Sequence, residues 1–291
     1  LTGNIGVNKA EIGDLGLLPT NFGALGEKVG YLGNSLGDHF GVGHIFLTGE
    51  APGLFYGYVT DGIVQTEDVT ENGIRFTNRD GKEGYYKTVN NVEAKPGDVK
   101  FVDRNGDGVV DTNDLDIIGN PNPDFTYGFN SSLSVWNFTL NVGFSGTYGN
   151  DIANINLVQE THLGTLNMNI RKEAFEGRWT KENPSTKYPS IESLMGSNGS
   201  SQLRYFTDRL IEDGSFLRLS NVSLSFHVPL PKKSFVKGLD LTASGSNLFV
   251  WTKYSGYDPD VNSFGTLNKM GIDFGSYPSA RTFSFDVKLT F

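Results

Sequence analysis

The stretch "RTFSFDVKLTF", Arg281–Phe291, most constrains what this chain can become. Phe283, Phe285, Val287, Leu289 and Phe291 alternate without a break with Ser284, Asp286, Lys288 and Thr290. Successive side chains of a strand point to opposite faces, so this segment reads as a strand with one apolar and one polar face. "WNFTLNVGFSG" repeats the pattern, with Trp136, Phe138, Leu140, Val142 and Phe144 on one face. Val222, Leu224, Phe226 and Val228 against Asn221, Ser223, Ser225 and His227 form a third example.

Two settings produce such strands. In a soluble sandwich the apolar face meets a second sheet; in an outer-membrane barrel it meets lipid while the polar face lines the lumen. Length separates the two. Strands of soluble domains are commonly about 5–6 residues long, whereas spanning strands need about 9–11. The runs Trp136–Tyr148, Phe216–Val228 and Ala280–Phe291 reach the longer figure. Connections agree, with only Ser134–Val135 and the basic link Pro229–Gly238 at one side. Asn150–Gln202 and Lys253–Ser279 are long and rich in small polar residues, the lopsided loop lengths of outer-membrane barrels. The expected fold is an all-β antiparallel transmembrane barrel segment with long extracellular loops. About eight strands are expected: the beginning of the chain (Leu1–Val7), one or two within Glu27–Leu47, Phe125–Leu133, Trp136–Tyr148, Leu203–Ile211, Phe216–Val228, Leu239–Trp251 and Ala280–Phe291.

Charge and composition exclude several classes. The net charge of −9 and the lack of a dense basic cluster argue against nucleic acid as a partner. The absence of Cys removes thiolate nucleophiles and cysteine-ligated metal sites. The longest unbroken apolar run, Leu248–Trp251, is far too short for a spanning helix. His39, His44, His162 and His227 make no HExxH-type pattern, and no Ser sits in a nucleophile elbow. No pair of carboxylates is singled out by spacing for glycoside hydrolysis, so no enzyme activity is expected. The chain begins at Leu1 and is expected to be a mature or truncated product.

One segment carries metal chemistry. In "DRNGDGVVDTND", Asp103, Asn105, Asp107, Asp111 and Asp114 fall at positions 1, 3, 5, 9 and 12 of a calcium-loop pattern. Gly108 falls at the turn position, and Val109 would offer its backbone carbonyl. Six Asp lie between Asp98 and Asp116 against only Lys100 and Arg104, so the carboxylates would repel one another unless neutralised. A structural calcium or magnesium ion is the expectation, although Asp114 stands where a bidentate Glu is usual. A merely solvated turn is the alternative. Tyr56, Tyr58, Trp179, Tyr188, Tyr254 and Tyr257 lie in the long segments and could stack on sugars or peptides; loop packing explains them equally well.

Together the calcium-like loop, "IIGNPNPDFTYGFN" and the alternating Phe-terminated end resemble the SusC/RagA family of TonB-dependent outer-membrane transporters. "GLFYGYVTDGIVQTED", "GDVKFVDRNGDGVVD", "RWTKENPSTKYP", "DGSFLRLSNVSLSF" and "SNLFVWTKYSGYDPDV" are similar to blocks of its carboxy-terminal part, in the same order. The resemblance covers most of the chain from about Gly49 onward. It implies the last portion of a large 22-stranded barrel, with the plug and first strands supplied by another part of the transporter. It further implies import of oligosaccharides or oligopeptides, a SusD-like lipoprotein lid, and TonB acting through the plug. The Asp103–Asp114 loop would then be extracellular, and Phe291 would match a barrel-assembly signal. The competing expectation is a soluble, calcium-stapled β-sandwich that binds glycans.

Overall fold

The computed structural model describes residues 1–33, 36, 42–157, 170–195, 205–231, 233–261, 263, 266 and 269–291. Six strands form one antiparallel sheet, hydrogen-bonded in chain order. They are β1 (Thr2–Gly6), β2 (Phe125–Val135), β3 (Phe138–Tyr148), β4 (Phe216–His227), β5 (Gly238–Thr252) and β6 (Thr282–Thr290). From β2 to β6 they run 9 to 15 residues, long enough to cross a bilayer with tilt.

Register carries the alternation across the sheet. Phe129 lies opposite Phe144, Phe138 opposite Phe226, Leu140 opposite Leu224 and Leu241 opposite Val287. Because paired residues share a face, these apolar side chains merge into one continuous surface. The Phe138 and Phe226 rings stack across it at 4.6 Å. The other face is a polar ladder. Asn141 Nδ2 donates to Ser223 Oγ at 3.1 Å, the Ser225 and Thr242 hydroxyls meet at 2.9 Å, and His227 Nδ1 lies 2.7 Å from Asp240 Oδ1.

Among the described residues no second sheet covers the apolar face. Phe283 is 77% exposed and Phe285 69%. A sandwich would cover these rings with a second sheet; among the described residues the two buried clusters lie elsewhere, within residues 22–118, 153–211 and 272. That arrangement fits a wall facing hydrocarbon and removes the ground for a β-sandwich.

All long connections leave from one end. β1, β3 and β5 end where β2, β4 and β6 begin, and the described residues within 7–124, 149–215 and 253–281 form three excursions there. At the opposite end β2 and β3 are joined at Trp136–Asn137. The turn expected at Ser134–Val135 lies two residues later, because Ser134 and Val135 still pair with Thr139 and Phe138. Trp136 takes the left-handed conformation, φ +52°, that closes so tight a link.

Two expected wall strands belong to the excursions instead. Within Glu27–Leu47, Gly30–Gly33 and His44–Leu47 pair with each other, in a four-stranded sheet with Leu54–Gly57 and Asp116–Gly119. The described part of Leu203–Ile211 carries the 3-10 turn Asp208–Leu210 and the start of a short strand, Ile211–Asp213. That strand pairs with Asp151–Asn154, which in turn pairs with Ile272–Asp273. The second and third excursions are thereby stitched together. Asp151 Oδ2 also accepts the Asn120 N–H at 2.7 Å, which ties in the first. Gly57 permits a further backbone approach, since a Cβ there would lie 2.4 Å from the Phe206 carbonyl. Tyr58 N–H instead donates to that carbonyl at 2.9 Å. The excursions are thus a folded body with its own core, around Phe55, Tyr86, Phe101 and Val110, all buried.

Candidate functional site

The acidic loop links the strands Val99–Phe101 and Val109–Val110 to Asp116–Gly119, and so to the Asn–Pro run that leads into β2. Its side chains fold inward onto their own backbone. Asp103 accepts N–H bonds from Gly106 at 2.6 Å and Gly108 at 2.7 Å. Asp114, fully buried, accepts from Arg104 at 2.7 Å, Asn105 at 3.2 Å and Asp111 at 2.8 Å. Asn105 and Asp107 hydrogen-bond one another, and Asp107 Oδ1 takes the Val109 N–H at 2.9 Å. Asp111 Oδ1 takes the Asn113 N–H at 2.7 Å and caps the short turn Thr112–Asp114. Gly106 and Gly108 both have positive φ, as the sharp loop demands.

Repulsion among the carboxylates is therefore met by N–H donors and by the Arg104–Asp116 ion pair at 2.6 Å. Among the described residues no three His, Asp or Glu side chains converge as a metal site. An ion bound in the expected manner would share Asp114 with these three N–H groups. Burial, opposed by these N–H bonds and reinforced by Asp103, raises the Asp114 pKa.

The six aromatic candidates divide. Tyr56 and Tyr58 are buried in the two clusters, and burial pushes the Tyr58 phenol up to about 12. Trp179 is buried, with Nε1–H donating to Gln65 Oε1 at 3.0 Å. Tyr254 is buried with its hydroxyl donating to Asp273 Oδ2 at 2.6 Å. These four brace the excursions. Tyr188 lines a cavity and Tyr257 is 74% exposed, so only these two offer a face to a ligand. Phe291 packs against Phe235 from the β4–β5 link, ring centroids 5.4 Å apart.

Among the histidines, His44 is fully buried, its Nε2 2.9 Å from the Met270 carbonyl, and burial lowers its pKa to about 4. His227 belongs to the polar ladder already described. His39 and His162 lie outside the described residues.

The three excursions converge on a cavity of about 640 Å³. Gly62 and Val99 come from the first, Leu157, Tyr188 and Arg209 from the second, and Ser255 from the third. No period-2 pattern marks these residues, because they meet only when the excursions fold together. Below it, the third excursion is fastened to the wall by Asp258, which accepts from Arg218 of β4 at 2.5 Å and from the Ser279 and Asp260 N–H groups at 3.0 Å.

Comparison with known proteins agrees with this architecture. No family model matches the chain. It is 32% identical over 254 residues to TonB-dependent receptor P3 of Formosa agariphila, covering 85% of this chain and 23% of that protein. It is 30% identical over 210 residues to TonB-dependent receptor SusC of Bacteroides thetaiotaomicron, covering 71% of this chain and 19% of that protein. Structures of the RagAB peptide transporter superpose on 99% of the chain with TM-score 0.64 at 22% identity, and in the closed-closed state with TM-score 0.66 at 20%. In both, the chain spans 27% of the solved chain. A strand wall with one apolar and one polar face, in a chain matched by relatives of one kind over most of its length, places this chain in the SusC/RagA family of TonB-dependent outer-membrane receptors.

Proposed function

We propose that the chain is part of the barrel of a nutrient importer, a transporter and not an enzyme, that moves oligosaccharides or oligopeptides across the outer membrane. The observation that carries this reading is the two-faced wall, with uncovered Phe283 and Phe285 on one side and the hydrogen-bonded Asn141–Ser223 and Ser225–Thr242 ladder on the other. Such a wall separates lipid from a water-filled passage. β1 and β6 are sheet edges with free hydrogen-bonding groups. An open edge is not tolerated in hydrocarbon, so the remaining strands of a closed barrel must pair with them. The plug, and through it TonB, belong to the same remaining part.

The excursions lie at the end opposite the tight turn, the side on which outer-membrane barrels carry their long extracellular loops. A SusD-like lipoprotein would seat on this body. Peptide is the transported substrate named for RagAB; oligosaccharide is the alternative for this chain. Uptake of labelled oligopeptides and oligosaccharides by cells with and without the intact gene tests the reading. Loss of uptake of one class on deletion supports it, and unchanged uptake of both overturns it.

For the acidic loop the same reading gives a structural ion, calcium or magnesium, that stiffens the approach to β2. The supporting feature is the oxygen spacing from Asp103 to Asp114. Exhaustive chelation followed by proteolysis tests it: faster cleavage within 103–114 supports an ion, and unchanged cleavage speaks against one.

A further inference from the structure

Arg209 forms part of the wall of the cavity on which the excursions converge. Its Nη2 donates to the Lys187 carbonyl, while Nη1 is buried with no hydrogen-bond partner. Among the described residues the guanidinium makes no ion pair. The adjacent Asp208 is committed elsewhere: its oxygens accept from Thr60 N, Thr60 Oγ1 and Arg79 Nη2. Glu212, also on the cavity wall, is equally engaged, taking Asn154 Nδ2, Ser255 Oγ and Ser255 N. Burial lowers the Arg209 pKa, with Asp208 and Tyr188 opposing. A guanidinium nitrogen left without a hydrogen bond is costly, and a carboxylate from a ligand would supply the missing acceptor.

The geometry points to this cavity as a binding site for a small ligand bearing one carboxylate, paired to Arg209. The guanidinium fork matches a carboxylate, and the interaction is a charge-assisted one in a partly dry setting. Arg171 and Lys187 share the wall with Glu173 and Glu212, so with Arg209 the cations outnumber the carboxylates by one, a balance that suits a single carboxylate better than a dianionic phosphate. Tyr188, Tyr205 and Leu210 offer apolar and aromatic surface to the body of the ligand. A peptide carboxyl terminus and a sugar acid supply the same chemistry. The inference deepens the import reading by naming a ligand class, but binding is measured without transport, so either can fail alone.

The test is titration calorimetry on the protein as purified in detergent. The probes are N-acetyl-phenylalanine against its amide, and glucuronic acid against glucose. At least one acid is expected to bind about tenfold tighter than its neutral partner, and the responding pair identifies the source of the carboxylate. Arg209→Gln is expected to erase the acid preference. Lys237→Gln, in the β4–β5 link away from the cavity, is expected to retain it. Equal binding of acid and neutral forms in both pairs, or an acid preference that survives Arg209→Gln, overturns the inference. Should Arg209→Gln lose its fold, Thr186→Trp decides: this substitution adds bulk to the cavity wall while keeping the arginine in the chain, and unaltered acid binding in it places the ligand elsewhere.

Discussion

Arg218 of β4 and Asp258 of the third excursion form an ion pair at 2.5 Å, each side chain only 6% exposed. Burial pushes the Asp258 carboxyl up, but Arg218 and the Ser279 and Asp260 donors outweigh it and hold the pKa below the ordinary value. The pair joins the polar face of the wall to the loop body above it. Beside the Asn247 Nδ2 bond to the Ala280 carbonyl, it holds strand and excursion in a fixed relation.

Removing one partner leaves the other charged and buried. Arg218→Ala is expected to cost about 3–5 kcal/mol, felt as release of residues 253–281 and seen as faster proteolysis there. Arg218→Met with Asp258→Leu, which removes both charges, is expected to cost less than either single change. Equal protease resistance of Arg218→Ala and the parent would refute a fastening role.

The wall predicts a contrast between adjacent residues. Phe285→Lys puts a charge on the lipid face and is expected to cost about 2–4 kcal/mol near the bilayer midplane, read as reduced assembled barrel in the outer membrane. Ser284→Lys, on the polar face opposite Ser244, is expected to assemble normally. If both variants assemble alike, the inside and outside of the wall have been assigned wrongly.

His44 gives a pH dependence. Its folded pKa of about 4 lies below the unfolded value of 6.5, so the unfolded chain binds the extra proton between these limits. Stability from this group is therefore complete above pH 6.5 and declines as pH falls toward 4, by roughly 3 kcal/mol. Asp114 and Asp151, whose pKa values are raised by burial, act in the opposite sense, gaining stability on acidification. The difference in unfolding free energy between the parent and His44→Gln isolates the histidine. It is expected to shrink on acidification, and a constant difference from pH 7 to 4 would contradict the assignment.

Asp114→Ala orphans the N–H groups of Arg104, Asn105 and Asp111. A buried donor left unmatched costs about 1–3 kcal/mol. Amide hydrogen exchange at these three positions is expected to quicken first, before exchange in the core strand Val99–Phe101. Unchanged protection would mean that solvent or another group takes the place of the carboxylate.

The wall was largely legible in the sequence. Phe216–Val228 and Ala280–Phe291 lie within one or two residues of the observed β4 and β6, because a strand between lipid and water must alternate along its whole length. The excursions were not. Their strands are two to five residues long, too short for a period to register, and Gly30–Gly33 and His44–Leu47 resembled wall strands only by composition. Tyr56, Tyr58, Trp179 and Tyr254 carry the same side chains a stacking platform would use, and burial, which no single sequence displays, is what turns them into core.

The sequence by itself determined which residues face lipid and which face the passage, since that choice is made residue by residue through the two-fold period of a strand. It also determined the turn chemistry of the acidic loop, where Asp, Asn and Gly act on neighbours a few positions away. Only the tertiary structure decided that Gly62, Arg209 and Ser255 share a cavity and that Arg218 meets Asp258. Those contacts join residues far apart in the chain, and their positions follow from how three folded excursions pack on one sheet, a cooperative outcome that local pattern does not encode.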